Sequence, residues 1–155
     1  MKRVLVLAAG SAALLLSCVS AFAVESEYKA TSTHSAADVW AKVGDFCGIG
    51  NWHPAVAKCE LSHGNKIRTL TLKGGGTIVE RLVNWDKADH RYTYRIVKSP
   101  LPVKDYISTI KVVADGSGSD VVWSGKYKAV KGTTDDAAKK IIDGIYKAGA
   151  DALAQ

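Results

Sequence analysis

What this chain of 155 residues lacks narrows it quickly. Past residue 23 no segment approaches the ~20 consecutive apolar residues that a bilayer-spanning helix needs, so no transmembrane segment is expected. Cysteine is scarce, with three in all, no CxxC and no His/Cys cluster at metal-ligand spacing, and a zinc site is not expected. Lys and Arg outnumber Asp and Glu by 21 to 15, yet the bases alternate with acids and form no stripe with exposed aromatics. That pattern argues against a nucleic-acid partner. No nucleophile stands beside a base, no cofactor motif is visible, and there is no internal repeat. Gly74-Gly75-Gly76 is followed by a strand pattern rather than a helix start, so it reads as a turn and not as a phosphate cradle.

What is present begins with a leader. Lys2 and Arg3 precede a small and apolar run from Val4 to Leu16, and Ala21-Phe22-Ala23 stands ahead of the polar Glu25-Ser26-Glu27. This is the pattern of a secretory signal peptide over residues 1–23, cleaved after Ala23, which implies a periplasmic protein. The alternative is a lipoprotein anchored at Cys18, since Leu15-Leu16-Ser17-Cys18 loosely resembles a lipidation box. Cleavage after Ala23 leaves 132 residues, one domain over 24–155, and lowers the net charge from +6 to about +4. Cys47 and Cys59 would remain in an oxidising compartment. Either a disulfide or two separate buried thiols fits their positions.

The mature chain alternates apolar and polar residues. Glu27 to Thr33 reads as a strand, Ser35 caps a helix through Trp40 and Val43, and a helical turn over Asp45 to Ile49 breaks at Gly50. Ala55, Ala57, Cys59 and Leu61 then mark the apolar side of a strand. Further strands follow at Ile67 to Lys73, Thr77 to Asp86, Arg91 to Lys98, Val103 to Ala114 and Ser119 to Val130, the last two joined around Asp115-Gly116-Ser117-Gly118. A long helix begins at Thr133-Thr134-Asp135-Asp136, with acids where the dipole favours them. Its apolar side carries Ile141, Ile142, Ile145, Tyr146, Gly149 and Leu153, and Asp143 with Lys147 forms an expected ion pair on the wet side. The fold class is therefore α+β: a seven-stranded curved antiparallel sheet around a long C-terminal helix, with two short helices between strands 1 and 2. Small inward residues, Ala55, Ala57, Gly125 and Gly149, are expected to enlarge a space between sheet and helix.

This order, with Val39-Trp40, Phe46, Trp52, Glu80-Arg81-Leu82, Asp86, His90 and Tyr106 to Ser108, resembles the helix-grip (SRPBCC) superfamily. That superfamily holds START lipid-transfer domains, the birch pollen allergen, polyketide cyclases and plant abscisic-acid receptors. Val43-Gly44-Asp45-Phe46, Trp52-His53-Pro54-Ala55-Val56, Arg68 to Leu72, Tyr94-Arg95-Ile96, Pro100 to Val103 and Trp123-Ser124-Gly125 look like the bacterial MxaD family. That family is exported and associated with methanol oxidation. The resemblance implies a small hydrophobic or amphipathic ligand in a central cavity. It also implies an accessory role beside a periplasmic quinoprotein dehydrogenase or its cytochrome, or else a cyclase-like reaction using a buried carboxylate and phenols.

Matched to the plant receptors, His53 falls where they place a ligand-binding Lys, and Glu80 on their pocket Glu. Tyr94, Ile96, Leu101, Val103, Tyr106 and Ser108 fall on further pocket positions. Leu70, Leu72, Trp123, Tyr127 and Ile145 complete the expected ligand wall, although Trp123 and Tyr127 suit a core equally. His53 could instead hydrogen-bond a loop carbonyl, and Glu80 could form an ion pair with Arg68 or Arg95. The gate loop of those receptors shortens here to Lys73-Gly74-Gly75-Gly76, and Pro100-Leu101-Pro102 replaces their latch, so hormone sensing is not implied.

Overall fold

The computed structural model describes residues 23–155, and the leader up to Phe22, with Cys18, lies outside the described residues. The elements run β1 (Val24–Ser32), α1 (Ala36–Val43), α2 (Ile49–Trp52), β2 (Val56–Ser62), β3 (Ile67–Leu72), β4 (Thr77–Asp86), β5 (Arg91–Lys98), β6 (Val103–Asp115), β7 (Gly118–Ala129) and α3 (Asp135–Ala154). All seven strands form one antiparallel sheet in the order β1-β7-β6-β5-β4-β3-β2. The expected α+β architecture is the observed one.

Local chemistry explains the boundaries. Ser35 Oγ accepts from the Asp38 amide and opens α1, whose Val39 and Val43 are fully buried. Thr134 Oγ1 accepts from the Ala137 amide and opens α3, with Asp135 and Asp136 at its positive end. The β3–β4 turn needs left-handed backbone at Gly75 and Gly76, with φ of 92° and 86°, which only glycine adopts without strain. Pro100 and Pro102 stiffen the β5–β6 loop, pinned by Leu101 N to Ser99 Oγ and by Val130 N to the Pro102 carbonyl.

Several boundaries moved. The helical turn expected over Asp45 to Ile49 lies instead at Ile49–Trp52 with Gly50 inside it, and β1 begins at Val24 rather than Glu27. On α3 the buried row is Ala138, Ile142, Tyr146, Gly149, Ala150 and Leu153, while Ile141 is 42% exposed. Asp143 pairs with Lys139, and Lys147 with Asp151, instead of with each other. Burying side chains of this size stabilises by about 1.5–3 kcal/mol each, which holds the helix on the sheet. No helix among the described residues is long and apolar enough to cross a membrane.

Cys47 and Cys59 form a disulfide, with Cα atoms 5.5 Å apart. It ties the segment before α2 to β2, the strand that closes one side of the site.

Candidate functional site

The concave face holds a cavity of about 140 Å³ between β3 to β7, the α2–β2 entry and α3. Its floor is buried: Ile49, His53, Val56, Leu70, Ile78, Glu80, Tyr94, Tyr106, Trp123 and Ile142. Its rim is Ala55, Leu72, Ile96, Leu101 and Ile145, each at least partly exposed. Leu101 reaches the rim because the two prolines hold its loop over the sheet. Leu70 and Leu72 reach it through the two-residue alternation of β3.

Of the thirteen residues expected on the ligand wall, ten line this cavity: His53, Leu70, Leu72, Glu80, Tyr94, Ile96, Leu101, Tyr106, Trp123 and Ile145. Three do not. Val103 lines an outer groove between β5 and β6, which part beyond the Arg95–Ile107 pair. Ser108 lies beneath the indole of Trp123, and Tyr127 stacks on Tyr106 and bonds Ser26. Ile49, Ala55, Val56, Ile78 and Ile142 also line the cavity and were not among the thirteen.

The small residues behave differently from expectation. A register shift between Val56 and Lys58 inserts a bulge in β2, which turns Val56 inward and leaves Ala57 exposed. Gly125 and Gly149 add no space: they admit aromatic rings. A Cβ on Gly125 would collide with Tyr146 Oη, and one on Gly149 with the Trp123 ring and, at 2.6 Å, with His53 Cδ2. Both glycines are contact points of a packed wall.

His53 is a clamp. The Ala55 amide donates to Nδ1, so Nε2 carries the hydrogen and donates to the Ile145 carbonyl at 3.2 Å. Burial lowers the His53 pKa, against the opposing effect of that carbonyl. The ring stays neutral with both nitrogens satisfied by the protein. It also meets Trp123 edge-on at 5.8 Å, coupling the α2–β2 connection to β7 and α3.

Glu80 forms the buried ion pair that was one of its two readings, while also lining the cavity. Arg68 Nε donates to Glu80 Oε2 at 2.6 Å, and Arg68 Nη1 donates to the Phe46 carbonyl at 2.7 Å. The guanidinium lies 4.2 Å from the Phe46 ring centroid and 4.8 Å from that of Tyr94. Burial opposes its charge, but Glu80 and the tyrosines more than reverse this, so Arg68 stays charged. Burial lifts the Glu80 carboxyl above the ordinary carboxylate range, and Arg68 offsets only part of that rise. Glu80 Oε1 has no hydrogen bond among the described residues. Arg68 was missed as a site residue although it shares the inward register of Leu70 and Leu72, which was the signal available in the sequence.

A chain of hydroxyls completes the floor. Ser108 Oγ donates to the Ser124 carbonyl, Tyr146 Oη donates to Ser108 at 3.1 Å, and Tyr106 and Tyr146 hydroxyls stand 2.7 Å apart. Trp123 Nε1 donates to both Ser108 Oγ and Tyr94 Oη. Burial raises the pKa of Tyr94, Tyr106 and Tyr146, so all three keep their protons. Among the described residues no three His, Cys, Asp or Glu side chains gather where they could hold a metal ion.

Residues 23–155 match the family described as polyketide cyclase / dehydrase and lipid transport. The chain belongs to that family. Among solved proteins of similar structure, the protein XoxI from Bacillus cereus is 34% identical, with 85% of this chain and 94% of that one covered and a TM-score of 0.82. An uncharacterised protein from Bacillus thuringiensis is 32% identical, over 84% of this chain and 96% of its own, with a TM-score of 0.81. The Zhui aromatase/cyclase from Streptomyces sp. R1128, 19% identical over 79% of this chain and 84% of that one, shares the fold with a TM-score of 0.63. No functionally curated protein matches this family member.

Proposed function

We propose that the protein binds a small, predominantly apolar molecule in the cavity between the sheet and α3. The supporting observation is the cavity itself, about 140 Å³ walled by aliphatic and aromatic side chains, with few polar groups facing it. Drug-sized ligands occupy roughly 300–1,000 Å³, whereas an engineered apolar cavity of about 150 Å³ takes up benzene. The ligand is therefore the size of one ring, not of a polyketide chain or a lipid tail. Native mass spectrometry of the full chain from its own host tests this: a retained small molecule supports it, and a bare protein that also fails to take up toluene contradicts it.

Export fits the same reading. The leader pattern over residues 1–23 and the Cys47–Cys59 bridge both suit an oxidising periplasm, where disulfides persist. A second reading, an MxaD-like accessory protein acting on a periplasmic quinoprotein dehydrogenase or its cytochrome, draws on the convex face. There Arg81 and Arg95 stand opposite each other on β4 and β5, both exposed and neither in an ion pair among the described residues. Like charges placed so are unfavourable until an anionic surface meets them. Electron transfer between dehydrogenase and cytochrome, measured at low salt with and without the protein, tests this role.

A further inference from the structure

We infer that the cavity selects neutral single-ring ligands carrying an oxygen acceptor, such as an aryl ketone, and that the Tyr94 hydroxyl hydrogen is what recognises them. This deepens the ligand-binding reading above and rests on it. The argument is a count of hydrogens along the buried hydroxyl chain. A carbonyl can only accept, so the single Ser108 hydroxyl hydrogen is spent on Ser124 O at 2.7 Å. Tyr146 therefore spends its hydrogen on Ser108, and at 2.7 Å Tyr106 must spend its own on Tyr146. Tyr106 then offers the cavity a lone pair and no hydrogen.

Tyr94 is different. Its oxygen already accepts from Trp123 Nε1, and its hydrogen has one partner, Tyr106 Oη, at 3.3 Å, the longest link in the chain. That hydrogen belongs to a side chain lining the cavity, so a ligand oxygen can take it at little cost. The other ligand-facing polar groups disfavour a charged ligand. Both His53 nitrogens are occupied by backbone partners, so no imidazolium waits for an anion. Glu80, one strand away and diagonal to Tyr94, presents the oxygen that Arg68 leaves unshared, which repels a carboxylate. A ligand cation reaching that unshared oxygen would meet the like charge of the buried Arg68 guanidinium, held on the same carboxylate at 2.6 Å. A neutral acceptor gains the Tyr94 hydrogen without bringing a charge into the cavity.

The experiment titrates the full chain at pH 7 by calorimetry with acetophenone, with α-methylstyrene, which replaces the carbonyl oxygen by a methylene of similar shape, and with benzoate. Acetophenone should bind about three- to tenfold tighter than α-methylstyrene, the range expected for one net hydrogen bond. Benzoate should bind at least about tenfold more weakly than acetophenone, since the Tyr94 hydrogen alone does not replace the water its carboxylate loses and the unshared Glu80 oxygen repels it. Bound acetophenone should show a carbonyl stretch shifted to lower frequency, and Tyr94→Phe should remove both the shift and the preference. Equal binding of acetophenone and α-methylstyrene overturns this inference and leaves the ligand-binding reading standing. Benzoate binding tightest also overturns it, whereas no binding by any of the three overturns the underlying reading. Should Tyr94→Phe not fold, the wild-type comparison and the infrared shift decide alone.

Discussion

The concave face of this sheet has two halves built from one alternating pattern, and one is filled while the other is hollow. In the filled half Phe46, Tyr92 and Tyr94 surround the Arg68 guanidinium, and Trp85 stacks on Tyr92 at 4.8 Å. In the hollow half Leu70, Ile78, Ile142 and Ile145 face one another across about 140 Å³. The difference is one of reach. Flat rings close on the long cation of Arg68, whereas Leu70, Ile78, Ile142 and Ile145 stop short of each other above the rings of Tyr94, Tyr106 and Trp123. Glu80 stands at the border and belongs to both, its Oε2 committed to Arg68 and its side chain lining the cavity.

Breaking the filled half should have the largest effect. Arg68→Met leaves the Glu80 carboxylate buried without its partner, and about 3–5 kcal/mol of stability should be lost in urea denaturation. Adding Glu80→Gln should restore much of that, because no charge then remains stranded. If the double variant is as unstable as the single one, the ion pair is not what organises this half.

The packed glycines should come next. Gly125→Ala drives a methyl group into Tyr146 Oη and towards the Ile107 carbonyl at 3.0 Å, so a loss of about 1–3 kcal/mol is expected from a thermal melt at matched concentration. By contrast Ala57→Leu, on the exposed bulge of β2, should change stability by less than about 0.5 kcal/mol. Equal effects at the two sites would mean that the bulge does not turn Ala57 outward.

A pH titration sharpens the border between the halves. Because burial holds the folded His53 pKa below its unfolded value near 6.5, the unfolded chain binds the proton first on acidification. Stability from this group is therefore fully present above about pH 6.5 and falls as the pH drops below it. Urea midpoints between pH 8 and 5 should show that fall, and His53→Gln should flatten it. An unchanged slope in the variant would mean that His53 is not the group responsible.

The sequence carried the strands well, because a half-buried strand advertises itself every second residue: β4 and β5 run Thr77–Asp86 and Arg91–Lys98, as the pattern alone indicates. Features that depend on a partner far along the chain were not legible. The β2 bulge exchanges Ala57 for Val56 without any mark in the local pattern. The Glu80 ion pair was one of two readings, and its partner was open between Arg68 and Arg95 until the β3–β4 register set Arg68 opposite Glu80. Gly125 and Gly149 suggest open space until the rings of Tyr146 and Trp123 are seen to occupy it. Whether Cys47 and Cys59 were bridged or separate was open for the same reason, since it depends on how α2 folds back on β2.

The hollow half is the central claim, and a titration of the isotope-labelled protein with toluene, followed by amide and methyl NMR shifts, tests it most directly. The account predicts saturable shifts centred on Leu70, Ile78, Ile142 and Ile145, and their loss in Ile145→Trp, whose larger ring fills the rim. No shifts in the folded protein, or shifts gathered on the convex face around Arg81 and Arg95, would contradict it.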